Sequence, residues 1–179
     1  MLRFPLDEHG ELRLLLPQHA EALFDLTDRN RAHLRRWLPW VDGVLEPADT
    51  ATFIQGRLDA LARGTGFDLT IWQRGQIAGT VGLFDLNGFK GEIGYWLGQG
   101  FEGQGLMSRS VSALLDYGFG ELGLARVQIK AHTENLRSRA VPERLGFRLE
   151  GVLKNDAKLH GNLGDHALYA MTSLEWVRR

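Results

Sequence analysis

The sequence predicts a mixed α/β (α+β) fold, with a mostly antiparallel central sheet flanked by helices. Two observations carry that prediction. The first is a strand–turn–helix–strand unit around the glycine-rich residues 98–108. Ile93, Tyr95 and Leu97 alternate with Gly94 and Trp96, the two-residue period of a strand. Val111, Leu114, Leu115 and Phe119 then recur at helical spacing. Val127, Ile129 and Ala131 alternate with Arg126, Gln128 and Lys130 as a second strand. The second observation is a set of short apolar segments before this unit, separated by the turn dipeptides Arg74-Gly75 and Asn87-Gly88.

Taken in order, residues 12–16 are a short apolar run closed by Pro17, the first expected strand. Ala20, Leu23, Phe24 and Thr27 share one face of a helix that begins near Pro17. Arg29, Arg31, His33, Arg35 and Arg36 follow with no acid among them. Trp37-Leu-Pro-Trp40 ends that helix, because proline removes a donor and restricts the residue before it. Residues 47–63 read as another helix, with Phe53, Ile54, Leu58 and Leu61 on one side and Gly64-Thr-Gly66 as its stop. Leu69, Ile71 and Trp72 belong to a strand that turns at Arg74-Gly75 into residues 76–84, and Asn87-Gly88 leads to residues 92–97. These three strands are expected to form an antiparallel meander. Past Gly146, residues 147–151 are a strand, residues 153–164 a polar connection, and residues 166–172 the last strand.

The 179 residues suit a single domain over 1–179, large enough for a sizeable core. Hydrophobic residues make up 44% and charged residues 24%, the balance of a soluble globule. A net charge of −1 offers no general attraction to nucleic acid or to an anionic membrane. There is no cysteine, so disulfides, thiol ligands and an acyl-cysteine intermediate are all excluded. No histidine pair has metal spacing, and no metal is expected. The N-terminal stretch lacks the apolar run of a signal peptide and no segment could span a bilayer, so a cytoplasmic location is expected.

The glycines lie where the central helix begins. A helix start leaves backbone N–H groups without partners and carries the positive end of the dipole. Gly103 and Gly105 have no side chain to hold an anion away from those donors, which makes a pyrophosphate cradle. A tight turn alone is the plainer use of such glycines. Gly98, Gly100 and Gly103 also spell the G-x-G-x-x-G dinucleotide fingerprint, whose acid belongs ~20 residues on. Here the acid past the next strand is Glu134, 31 residues after Gly103, and too little chain follows for a doubly wound half. No Lys-Ser or Lys-Thr follows the glycines, so a Walker loop fails as well.

Glu102-Gly-Gln-Gly-Leu-Met107, together with Asn135, Ser138 and Leu145-Gly146-Phe147, resembles the GCN5-related N-acetyltransferases (GNAT). Leu34-Arg-Arg-Trp-Leu-Pro-Trp40 and the run Gly161…Asp165-His166-Ala-Leu-Tyr169 are similar to the Rim-type branch, which acetylates ribosomal-protein N-termini. The resemblance implies the acyl-CoA N-acyltransferase fold and acetyl-CoA as cosubstrate. Its pyrophosphate would lie on the amides of Gly103, Gln104, Gly105, Leu106, Met107 and Ser108, and its pantetheine along the backbone of Tyr95, Trp96 and Leu97. Asn135 would bond the pantetheine arm, and Ser138 would protonate the departing thiolate. Both residues also favour helix caps. If Ser138 is the cap, Pro142 falls just past the first turn. Glu102 departs from the pattern by putting a carboxylate where a cationic or amide residue is usual, and its side chain is expected to face away from the phosphates.

The general base is the gap. Rim-type relatives often carry glutamate where this chain has Ala157; Asp156 is next to it, and His132 lies just past its strand. A protein α-amine titrates at ~7.7–8 against ~10.4 for lysine, so a terminal amine needs less help. Arg35, Arg36, Trp37 and Trp40 are the acceptor-groove candidates, with core packing or a solvated helix face as their plainer readings. Three functions remain: N-terminal acetylation of a protein, with the ribosomal stalk protein as first candidate; acetylation of a small amine such as an antibiotic or polyamine; and non-catalytic CoA binding. The resemblance also allows a homodimer.

Overall fold

The computed structural model describes residues 2–176; Met1 and the last three residues of the expected 1–179 domain lie outside the described residues. The chain opens with β1 (Arg3–Pro5) and β2 (Gly10–Leu14), followed by α1 (Ala20–Arg29), the short α2 (Arg31–Leu34) and α3 (Pro47–Ala62). The meander β3 (Phe67–Gln73), β4 (Gln76–Phe84) and β5 (Lys90–Leu97) follows, then α4 (Leu106–Gly120), β6 (Arg126–His132) and α5 (Leu136–Arg144). A long hairpin, β7 (Arg148–Leu159) and β8 (Asn162–Thr172), and the one-turn α6 (Ser173–Trp176) complete it. The eight strands form one sheet in the order β1-β2-β3-β4-β5-β6-β8-β7.

Alternation of side chains decides what covers each face. On one face Val81, Leu83, Ile93, Val127 and Ile129 are fully buried under Val111, Leu114 and Leu115 of α4. On the other, Leu23 and Leu26 of α1 and Ile54 of α3 pack over Ile77, with Trp72 and Trp96 at the margin. The expected antiparallel meander is present, with β3 paired to β4 and β4 to β5 along their lengths. Among the described residues one ladder alone is parallel, because α4 carries the chain back across the sheet between β5 and β6. That ladder is short: Lys90, Gly91 and Glu92 pair with Arg126, Val127 and Gln128, and beyond them the strands separate. The sheet therefore forks at its centre, with residues 93–97 on one prong and Ile129 to His132 on the other.

Two expectations are corrected. Residues 153–164 are not a polar connection. They belong to β7 and β8, and the chain reverses at His160 and Gly161, whose φ values of 49° and 85° suit a tight hairpin turn. β7 is the sheet edge, so most of its side chains meet water and the segment reads as polar. β1 was too short to register as a periodic segment. The basic helix is also split, since Asn30 spends its side chain on Leu26 O (2.8 Å) and on the N–H of Gln99 (2.8 Å). That second bond ties the end of α1 to the entrance of the glycine turn.

Candidate active site

The glycine turn is shaped by backbone conformations that disfavour side chains. Gly103 and Gly105 have φ values of 75° and 70°, and Gly105 is the N-cap of the 15-residue α4. A Cβ built on Gly103 would meet nothing within 4 Å, so this part of the turn is open; one on Gly105 would come within 3.0 Å of Arg109 Nη1. Arg109 donates from Nη1 to Gln104 O (3.0 Å), while its Nη2 pairs with Asp7 Oδ2 (2.8 Å). Those contacts hold the turn against the β1–β2 connection and leave its amides facing a cavity of about 860 Å³.

The cavity occupies the fork. Tyr95, Trp96 and Leu97 form one wall, Asn135, Ser138 and Arg144 another, and Gly103, Gly105, Leu106, Met107 and Ser108 its base. Leu106 and Met107 are buried in the core, so only their main chain is on offer. Ser108 Oγ accepts a hydrogen bond from Arg144 Nη1 (2.9 Å). Gln104 is not on the cavity wall; its side-chain amide donates to Gly100 O (3.2 Å). An extended anion-bearing ligand fits this donor set: amides at a helix start, an open glycine surface, and Arg144 beside Ser108.

The start of α5 answers the capping question. Asn135 Oδ1 accepts the N–H of Ser138 (3.2 Å), so Asn135 is the cap and Pro142 lies inside the helix rather than just past its first turn. Pro142 has no N–H for the carbonyl four residues back, which is that of Ser138. Tyr95 supplies the missing donor, with its hydroxyl 2.8 Å from Ser138 O. Burial pushes the Tyr95 phenol well above its ordinary value, so it remains a neutral donor. The Ser138 hydroxyl finds Tyr95 Oη only at 3.5 Å, the long limit of a hydrogen bond. Its proton is thus weakly held within the protein.

Glu102 lies on the cavity wall, 3.0 Å from His33 Nε2 and ion-paired with Arg137. The carboxylate is taken up by these partners from α2 and α5. The proposed acceptor residues divide. Trp37 borders the large cavity and also a second one of about 510 Å³, which Arg36, His132, His160 and Asp165 help to line. The Arg36 guanidinium stands 5.4 Å from the Trp37 ring centre. Arg35 and Trp40 lie on neither wall. Arg35 makes two bonds of 3.0 Å to Asp42, and the guanidinium holds that carboxyl below its usual range. Trp40 packs against Trp96 with ring centres 6.0 Å apart. Arg31 spends its guanidinium on Asp28, Val41 O and Val44 O. The run free of acids in sequence thus has acids beside it in space. Sequence reasoning did not single out Arg109, Arg144 or the Tyr95 hydroxyl; the proline in a helix was the one signal that a carbonyl would need a partner.

Comparison with known proteins agrees with this geometry. The acetyltransferase (GNAT) domain matches residues 11–148. The chain is 35% identical over 180 residues to YdaF of Bacillus subtilis (strain 168), covering 98% of each protein. It is 31% identical over 165 residues to the ribosomal-protein-serine acetyltransferase of Escherichia coli (strain K12), covering 91% of this chain and 92% of that one. Among solved structures, the complex of RimL, a ribosomal L7/L12 alpha-N-protein acetyltransferase, with coenzyme A superposes with a TM-score of 0.92 at 31% identity. That match covers 96% of this chain and 98% of RimL. The forked sheet and its glycine turn are therefore those of an acetyl-CoA-dependent N-acetyltransferase, and the chain belongs to the GNAT family.

Proposed function

We propose that this protein, acting as a single domain over 1–179, acetylates the N-terminal α-amine of a ribosomal or other acidic protein by direct transfer within a ternary complex. The observation that carries the reading is the meeting of the two cavities at Trp37, so that one ligand can reach another across the fork. Acetyl-CoA supplies an activated acetyl thioester. The amides of residues 103–108 hold its phosphates, and main-chain donors of residues 95–97, freed where the strands part, polarise the carbonyl. Asn135 spends Oδ1 on its capping bond and keeps its amide N–H₂ for the pantetheine arm. Ser138, whose hydroxyl is weakly engaged, gives its proton to the thiolate. The absence of cysteine excludes an acyl-cysteine intermediate and supports direct attack by the amine. Support for a protein terminus comes from RimL, described as acting on the α-amine of L7/L12.

Initial rates with both substrates varied are expected to give intersecting double-reciprocal lines. Parallel lines, or acetylated enzyme trapped without acceptor, would refute direct transfer. A peptide with a free N-terminus should be acetylated, and the same peptide blocked at its N-terminus but carrying lysines should be inert. Equal rates on the two peptides would exclude the terminal amine as the acceptor.

A further inference from the structure

An acceptor amine arrives mostly as an ammonium ion and must lose a proton before it attacks. Ala157, buried and opposite Gly164 in the β7–β8 ladder, offers nothing to take that proton. The neighbouring Asp156 instead contacts a histidine of β8. His132 of β6 and His166 of β8 are register partners, which puts their side chains on one face of the sheet. Their rings meet edge to face with centres 6.4 Å apart. Trp37, which borders both cavities, lies over His132 at 5.3 Å. His132 thus lines the second cavity at the open end of the fork, and His166 stands directly behind it on β8, on neither cavity wall.

Their hydrogen bonds give them different chemistry. His132 Nδ1 accepts the backbone N–H of Glu134 (3.3 Å), so its lone pair is engaged. Its Nε2 edge packs on Gly164, where a built Cβ would approach to 2.3 Å. His166 has the opposite arrangement. Its Nδ1 is 2.8 Å from Asp156 Oδ2, a carboxylate that can only accept. In the neutral ring this contact puts the proton on Nδ1 and leaves the lone pair on Nε2.

We propose that His166, oriented by Asp156 and one side chain behind the second cavity, accepts the proton of the acceptor ammonium through a bridging water; this rests on the N-acetyltransferase reading above. An ammonium N–H bond breaks and its proton passes to His166 Nε2, leaving an imidazolium paired with the Asp156 carboxylate. The freed nitrogen lone pair forms the bond to the acetyl carbon, and the C–S bond breaks. The departing thiolate takes a proton from Ser138, which is replenished by the second N–H proton released as the amide forms. The imidazolium returns its proton to solvent. Asp156 is a positioning residue: it fixes the tautomer and never touches the amine. The titratable and charged groups around the pair are His132 and Lys130 on the same face of β6, with Lys130 3.4 Å from Glu92, then Lys154 paired with Asp165, and Arg36, Glu134 and His160 around the second cavity.

The test is the pH dependence of kcat/KM for a peptide with a free N-terminus, in wild type, His166→Gln and Asp156→Asn. Without a proton acceptor only the neutral amine reacts, roughly a tenth of the total at about pH 7 for an amine titrating at ~7.7–8. His166→Gln should then be slower by about tenfold at neutral pH and recover as the pH passes that value, with its acid limb moved up to the amine's own. Asp156→Asn, at an exposed position, should move the limb in the same direction and keeps the test open if His166→Gln does not fold. KM for acetyl-CoA should not change. An unmoved limb in both variants, or a loss equal at every pH, would overturn the proposal. If wild type acetylates only small amines, the terminal-amine reading fails, and the same limb shift measured on that amine still decides the role of His166.

Discussion

Gly105 is where one atom decides the site. Its positive φ turns the chain into α4 and directs the first amides of that helix at the cavity. Valine there would have to adopt a left-handed conformation costing roughly 1–2 kcal/mol, and its branched side chain would meet Arg109. Gly105→Val is expected to weaken acetyl-CoA by about tenfold or more, equivalent to ~1.4 kcal/mol, as read by calorimetry. Asparagine tolerates the left-handed region, so Gly105→Asn should lose less. An unchanged affinity in a folded Gly105→Val variant would remove the turn from the cosubstrate site. The glycines were legible because a positive φ and a close anion both demand them. Glu102 was not. The sequence marks it only as an odd charge, since its partners His33 and Arg137 lie 69 and 35 residues away.

At the scale of elements, α5 and β5 are joined by a carbonyl that belongs to neither ladder. Pro142 withholds the donor that Ser138 O would normally receive, and Tyr95 replaces it. Removing that hydroxyl in Tyr95→Phe leaves a partly buried carbonyl unsatisfied, at about 1–3 kcal/mol. Pro142→Ala restores a backbone N–H to the same carbonyl. The Tyr95→Phe penalty should therefore shrink in a Pro142→Ala background, by about 1 kcal/mol in a double-mutant cycle read from urea unfolding. Strict additivity would mean that the two donors do not share the carbonyl. The sequence displayed Asn135, Ser138 and Pro142 but left the cap between two residues. Only the bond from Ser138 N to Asn135 settles the register of α5. The β7–β8 hairpin failed for the complementary reason: an edge strand with a bulge between Leu153 and Ala157 lacks the alternation that marks a strand half-buried along its length.

For the whole molecule, the net charge of −1 describes the acceptor side poorly, because what a partner meets is local. The meander and the glycine-turn unit were readable from the chain, since each is built from neighbours in sequence. The joining of Trp37 to the tip of the β7–β8 hairpin was not, because it brings residues 36–37 beside residues 159–165. The same folding divides the arginines. Arg31 and Arg35 brace the turn at residues 39–44, so reversing Arg35 would disturb structure as well as charge. Arg36, on the wall of the second cavity, is the cleaner probe. If this wall draws in an acidic protein terminus, Arg36→Glu should raise KM for an acidic peptide severalfold and leave KM for acetyl-CoA unchanged. The attraction is screened over a Debye length of ~10 Å at 0.1 M salt, so wild-type kcat/KM should fall as salt rises. The variant should respond less, and a peptide of neutral composition should distinguish the two enzymes least. Equal salt dependence in wild type and Arg36→Glu would mean that this arginine does not steer the acceptor.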